Sequence, residues 1–371
     1  MSKPSLILIA RNFPPLVGGI ENMMASTLNV LADDYEVTLV GPKGCRNFAT
    51  SAHNCYQLPT HPALFMALGL ILALWLSLRY RPQHVLGSNG IMAPLVWLCA
   101  VIAGAKSFLF LHGRDIVSNS RLYKSLIWPF CGRMNTVSVN SKNSTELALA
   151  AGISQSAIVL NHPCIRRPLP QAEDQSALND SLIGIDYLLY AGRIIPRKGL
   201  LPFLQNCSDW LKASELKLMV VGDLPEGQAG GIDRSYLDEV KTCIKEKGLE
   251  EHVQLTGKAS DTDMGSYMQG ARLHIMPLIE EPGDVEGFGM VAVEAASYGT
   301  ATIAFNCGGV ADAIPSRHLL IRASDYEAFC KAIENEMSSP SLSSDELKLG
   351  ATNFFEDKYF ESLTKTLNTH P

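Results

Sequence analysis

The feature that most constrains this chain is a rhythm that runs, stops and starts again. Short apolar runs recur at 6–10 (LILIA), 36–41 (EVTLVG), 84–87 (HVLG), 107–113 (SFLFLHG), 136–141 (TVSVNS) and 157–162 (AIVLNH), and most of the intervals have helical spacing. Apolar runs of strand length that alternate with helices form a parallel sheet covered on both faces, because each crossover must lay a helix on the sheet. The rhythm breaks at 163–180, where proline, charge and polar residues (CIRRPLPQAEDQSALND) replace it. It then resumes at 186–192 (DYLLYAG), 216–223 (LKLMVVGD), 252–257 (HVQLTG), 271–277 (ARLHIMP) and 300–305 (TATIAF), with helices expected at 199–212, at 233–247 and after Gly289. We therefore expect α/β architecture with two doubly wound, Rossmann-like domains at 1–165 and 184–350 and a linker at 166–183. The two domains are expected to face each other across a cleft, since open parallel sheets bind ligands at the carboxyl ends of their strands. The closing segment 345–367 is helical in pattern, with two readings: a return to the first domain, or a cap on the second.

Bulk properties agree with this. A chain of 371 residues with 47% hydrophobic content has material for two well-packed domains. Nine scattered cysteines without a C-x-x-C pair, and an N-terminus lacking a secretory pattern, lead us to expect a reduced, cytoplasmic protein without disulfides or structural zinc. Charge is uneven: residues 1–170 carry a balance of +8 and the remainder −14. A basic front half makes an anionic membrane surface or a phosphate-bearing acceptor a candidate partner; a more soluble second domain is the plain alternative, and no nucleic-acid partner is expected. Two apolar stretches, Leu64–Leu76 and Ile91–Ala103, are about 13 residues each, short of the ~20 that cross a bilayer, so buried core helices are expected. Because the first runs into Arg79, Tyr80 and Arg81, an interfacial helix with snorkelling cations is its second reading.

Chemistry concentrates at strand ends. In GDVEGFGMVAVEAASYGTA (283–301), Gly287, Phe288 and Gly289 form a loop that leads into a short apolar helix starting at Met290 and Val291. Backbone amides and the positive end of that helix make a cradle for a diphosphate, and glycine lets the backbone come close. Glu294, about one turn in, is placed to accept hydrogen bonds from a ribose diol, and Glu286 to hold the hydroxyls of a second sugar. The strand 186–192 runs into Arg193 and Lys198 (AGRIIPRKG), two cations able to offset charge growing on a leaving group without a metal ion. Gly18 and Gly19 in FPPLVGGIEN repeat the strand-loop-helix device in the first half, and Gly308 and Gly309 in NCGGV do so in the second. LFLHGRD sets His112 and Asp115 at a further strand end, where an imidazole can hold a polar ligand.

Taken together, FPPLVGGIEN, HGRD, GRIIPRKG, the E-x7-E pair Glu286/Glu294 and NCGGVADAI resemble, in this order and over nearly the whole chain, the family-4 retaining glycosyltransferases of the GT-B fold. The wording of GDVEGFGMVAVEA and FPPLVGGIEN is most similar to the branch with phosphatidylinositol-mannoside mannosyltransferases and bacterial surface-polysaccharide enzymes. The resemblance implies a hexose transferred with retention from a GDP- or UDP-linked sugar to a glycan or lipid-linked acceptor, with no cofactor and no metal. It also implies residue roles: Arg193, Lys198 and the amides of Gly289, Met290 and Val291 at the donor diphosphate, and Glu294 at the ribose. By the same resemblance Glu286 touches the transferred sugar, Gly19 approaches the diphosphate and His112 lies near the reacting sugar. Peripheral attachment at the inner membrane face would suit such an acceptor. One departure is VVGDLPEG, where Leu224 stands in place of the family's second glycine. The competing classes are a GT-B epimerase or hydrolase of nucleotide sugars, a phosphorylase acting on glycan and phosphate, and a non-catalytic nucleotide-sugar-binding protein.

Overall fold

In a computed structural model the chain is described over residues 3–168, 182, 184–222 and 235–369. Most of the expected linker, the tail of the strand at 216–223, the first residues of the helix at 233–247 and Leu224 lie outside the described residues. The chain divides into two compact units, one formed by Met1–Cys164, Pro282–Gly287 and Glu356–Pro371, the other by Ile165–Glu281 and Phe288–Phe355.

The first unit is built on seven parallel strands: β1 (Ser5–Ile9), β2 (Glu36–Pro42), β3 (Asn54–Leu58), β4 (His84–Gly87), β5 (Lys106–Leu111), β6 (Thr136–Val139) and β7 (Ile158–Leu160). Their order is β3-β2-β1-β4-β5-β6-β7, and β1 sits in register with both neighbours, Leu6 facing Val37 on one side and His84 on the other. Alternate residues of each strand point to opposite faces, so each face has its own core. Leu6, Leu8 and Phe108 join Met24 and Leu28 of the helix Gly19–Ala32; Ile7, Val85 and Leu109 join Phe65, Leu76 and Val96 of the helices Pro62–Tyr80 and Ala93–Ala103. The strand β3 was not expected, because NCYQL is half polar; as an edge strand it needs only one apolar face. The helix Pro62–Tyr80 spans 19 residues, longer than its apolar run, since proline starts it and Arg81, at φ 44, ends it.

The second unit contains six parallel strands: β8 (Tyr187–Ala191), β9 (Lys217–Val221), β10 (Val253–Gly257), β11 (Leu273–Met276), β12 (Thr302–Phe305) and β13 (Leu320–Ile321). They are ordered β10-β9-β8-β11-β12-β13. The two-residue β13 is too short to leave a sequence signal.

The segment 345–367, expected as one helix, is two: Ser344–Ala351 and Glu356–Thr369. Between them Phe355 pairs with Ile165 as an isolated bridge, Ile165 N–H donating to the Phe354 carbonyl at 2.8 Å, which takes this backbone out of helical geometry. The helix Ser344–Ala351 stays with the second unit, whereas Tyr359, Leu363 and Leu367 of the last helix enter the core of the first beside Leu6 and Leu28. Two polar contacts fix its register there: Ser26 Oγ donates to Glu356 Oε1 at 2.5 Å, and the Thr27 and Tyr359 hydroxyls lie 3.1 Å apart.

Candidate functional site

Both sheets reverse their strand order once, between β1 and β4 in the first unit and between β8 and β11 in the second. At such a point the loops leaving adjacent strands turn in opposite directions and open a crevice at the carboxyl edge. Gly18, Gly19, Arg193, Lys198 and residues 286–289 lie on the connections leaving these strands; His112 follows the next strand of the first sheet, β5, and Gly308 and Gly309 follow β12 of the second.

In the second unit, the loop after β8 carries Arg193 and continues as a tight turn, Pro196–Lys198, into the helix Leu200–Ala213. Its anchor is Gly199, at φ +71, where an added Cβ would overlap the carbonyl of Pro277 just beyond β11. Ile279 N–H donates to the Arg197 carbonyl at 3.0 Å, so the cation-bearing turn and the chain leaving β11 form one rigid corner. From that corner the chain reaches Gly289, whose φ of 93 turns the backbone into the helix Met290–Ser297. A Cβ there would meet Val310 at 3.2 Å, in the short turn that follows Gly308 and Gly309. The first amides of this helix, including those of Met290 and Val291, have no partner within it and project from its positive end. Phe288, by contrast, is a packing residue: it is buried in the core, its ring 5.4 Å from that of Phe354.

Glu294 lies one turn into the same helix, and burial pushes its carboxyl up to about 7. Asp261 adds to the rise, while Lys198 and Arg166 counter it. Lys198 and Glu294 are thus brought within electrostatic reach of one another. Arg166 and Asp261 were missed in the sequence because neither stands in a recognisable motif; they form an ion pair at 3.4 Å. Against the expectation that the chain has nothing resembling an Asp-x-Asp metal motif, Asp261 and Asp263 do have that spacing. Asp263 is committed elsewhere, accepting from Ser260 Oγ at 2.7 Å at a helix start, and among the described residues no three His, Cys, Asp or Glu side chains gather as a metal site. Beneath this corner His274 is fully buried in β11 with Nδ1 3.0 Å from Thr302 Oγ1; burial and Lys198 press its pKa down to about 3, so the ring is neutral.

In the first unit, Gly18 caps the helix Gly19–Ala32 behind the loop leaving β1. A short polar chain lines this edge: Asn89 Nδ2 donates to Asn12 Oδ1 at 2.6 Å, and Asn12 Nδ2 donates to Glu21 Oε1 at 2.7 Å. No local pattern marks Asn12 or Asn89, and Glu21 stands inside the segment FPPLVGGIEN. Asn89 Oδ1 and the Ser88 hydroxyl are buried with no hydrogen-bond partner among the described residues, acceptor and donor capacity that a bound polar molecule can use. His112, at the end of β5, places Nε2 2.9 Å from the Ser88 carbonyl, and its backbone N–H donates to Asp115 Oδ2 at 3.1 Å. Burial pushes the Asp115 carboxyl up, and the nearby imidazole and the amides of His112 and Gly90 hold it back.

Glu286 and Gly287 fall on a segment, Pro282–Gly287, that belongs to the first unit although strand β11 and helix Met290–Ser297 on either side of it do not. Gly113 stands against Val285, and Gly287 against the Asn140 amide, so Glu286 is carried next to the loop of His112. The E-x7-E pair is therefore divided: Glu286 goes with one unit and Glu294 with the other.

Comparison with known proteins adds the family. Residues 184–349 match the family described as glycosyl transferases group 1. Over this stretch, somewhat less than half of the chain, the sequence is similar to the group 1 glycosyltransferases. A GDP-mannose-dependent α-(1-6)-phosphatidylinositol monomannoside mannosyltransferase of Mycobacterium tuberculosis is 25% identical over 333 residues, 83% of this chain and 82% of that one. A lipopolysaccharide 1,2-N-acetylglucosaminetransferase of Salmonella typhimurium is 35% identical over 161 residues, 42% of this chain and 38% of that protein. Among solved structures, Anabaena HepE in complex with UDP and glucose superposes with a TM-score of 0.78 at 17% identity, covering 99% of this chain and 100% of that one. The fold is that of the GT-B glycosyltransferases, as the family resemblance read in the sequence implies.

Proposed function

We propose that this glycosyltransferase moves a hexose, with retention, from a GDP- or UDP-linked sugar to a hydroxyl of a lipid-linked or surface-polysaccharide glycan, working in the cytoplasm at the inner membrane face. The observation that carries the donor half is the rigid corner of the second unit. One glycine locks the Arg193–Lys198 turn against Pro277, and a second aims the helix Met290–Ser297 from the same loop system. Fixed cations and oriented amides stabilise charge that appears on a departing diphosphate, and they do so without reorganising as the bond breaks. In this reading Arg193 and Lys198 take up the growing phosphate charge, the amides of Gly289, Met290 and Val291 bind the same group, and Glu294 holds the ribose. Glu286 and His112 position the transferred sugar, and Gly18 and Gly19 let the first unit's backbone approach the diphosphate. A phosphate oxygen accepts the proton of the attacking hydroxyl, so no carboxylate nucleophile is required. The relatives named above support a glycan or glycolipid acceptor and a nucleotide-sugar donor.

Arg193→Ala and Lys198→Ala are each expected to lower turnover by about 100-fold or more, the usual consequence of removing a preorganised charge partner. Near-normal rates in both would reject the assignment. Incubating the donor without acceptor and following free nucleotide separates transfer from hydrolysis or epimerisation, and activity in EDTA is expected to match activity with added manganese. A thermal-shift comparison of GDP with UDP chooses the base, since the tighter ligand raises the melting temperature further.

A further inference from the structure

The helix Pro62–Tyr80 has two apolar faces, and only one of them is used. Phe65, Ala73 and Leu76 enter the core, and Gly69 lets Leu95 of the neighbouring helix approach to 3.0 Å of where a Cβ would be. On the opposite side Leu64, Leu68, Ile71, Trp75 and Leu78 are 52%, 44%, 69%, 49% and 68% exposed. Their spacing of four, three, four and three residues is that of a single helical stripe, about 21 Å long at 1.5 Å per residue. Soluble surfaces carry scattered apolar residues, and an unbroken row of this length marks an interaction site.

Charge identifies what covers it. From residue 37 to residue 145, the part of the chain that includes this helix, there are ten Lys and Arg side chains and a single acidic one, the partly buried Asp115. Arg79 and Arg81, both exposed, close the helix. An anionic lipid surface repels carboxylates and attracts each nearby cation by about 1 kcal/mol, so a helix free of acidic residues that ends in two exposed arginines complements it. The aromatic residues agree. Half-exposed Trp75 packs edge-on against Tyr56 and Tyr80, at 5.9 and 6.3 Å between ring centres, and the two tyrosine hydroxyls are 2.8 Å apart. Such a cluster, apolar in body and polar at its tip, suits the headgroup boundary. By length and composition the helix could cross a membrane. Its other face is built into the unit's core, however, so it meets lipid lying flat.

We propose that the stripe Leu64, Leu68, Ile71, Trp75 and Leu78, with Arg79 and Arg81 beside it, docks the first unit onto an anionic bilayer surface, the helix lying in the plane of the headgroups. This gives physical content to the membrane location proposed above. It is tested without donor or acceptor, so its failure would leave the transfer reading intact.

The full chain is sedimented with vesicles of phosphatidylcholine alone and with vesicles containing about a third phosphatidylglycerol. Wild type is expected to pellet with the anionic vesicles and to be released by high salt. Ile71→Glu and Leu78→Glu should each weaken partitioning about tenfold, the factor for losing one buried apolar side chain. Arg79→Glu should weaken binding to anionic vesicles about tenfold or more, since it reverses a charge rather than removing one, and leave binding to neutral vesicles unchanged. Because these residues are exposed, the melting temperature should be unaltered. The proposal is overturned if wild type stays in the supernatant, if neutral and anionic vesicles bind equally, or if the Glu variants pellet like wild type. It is equally overturned if ultracentrifugation finds a wild-type dimer that Ile71→Glu dissociates, since a second copy would then occupy the stripe.

Discussion

Replacing Glu294 with glutamine separates what this residue does for stability from what it does for the donor. The folded protein holds the carboxyl at about 7, against 4.5 for the group in its ordinary state. The folded chain therefore binds this proton more tightly than the unfolded chain does. The stability linked to it is fully present below pH 4.5 and is lost as pH rises toward 7. At roughly 1.4 kcal/mol per pH unit, the loss amounts to about 3 kcal/mol once the carboxyl is ionised. Glutamine keeps the shape and cannot ionise. At pH 8, Glu294→Gln should melt higher than wild type by roughly 6 to 12 °C, at 2–4 °C per kcal/mol for a unit of this size, and the two should converge near pH 4.5. Calorimetry across that range is the assay. In the proposed site the same substitution should weaken donor binding about tenfold or more, since an amide accepts fewer hydrogen bonds from a diol than an ionised carboxylate. A variant that melts at or below wild type at pH 8, or that keeps the wild-type pH slope, would show that Lys198 and Arg166 outweigh the burial of Glu294 and would refute the reasoning.

Gly199→Ala should destabilise the second unit by about 2 kcal/mol or more, because the new methyl meets the Pro277 carbonyl at a positive φ; thermal melts would show it. The same displacement should weaken nucleotide binding by moving Lys198. Leu363→Ala should cost about 2–5 kcal/mol in the first unit, as for other fully buried leucines, and leave the unfolding of the second unchanged, which hydrogen exchange resolves unit by unit.

The sheets were readable because a strand buried on both faces writes itself as a continuous apolar run, as in LILIA and YLLYA. The edge strand NCYQL is half polar and the edge strand Leu320–Ile321 is two residues long, so neither writes such a run, whereas the edge strands at 158–160 and 253–257 do carry enough apolar residues to be read. The donor loops were readable because glycines and cations sit next to strand ends in sequence. The Arg166–Asp261 pair near Glu294 and the Asn12–Glu21–Asn89 chain were not, since their partners come from separate parts of the chain and leave no local spacing. The assignment of Glu286 to the first unit was hidden for the same reason: it depends on Gly113 and Gly287 admitting Val285 and Asn140 side chains, a fit no linear pattern records.

The helix Glu356–Thr369 also bears on how the protein is made. It completes one face of a sheet whose last strand ends at Leu160, nearly two hundred residues earlier. At about 5–20 residues per second, a ribosome needs roughly 10 to 40 s to deliver it. Throughout that interval the nascent first unit has an uncovered apolar strip around Leu6, Leu8 and Leu28, so its final closure comes after the second unit has been synthesised, and chaperones have their clearest target in the unit that emerges first.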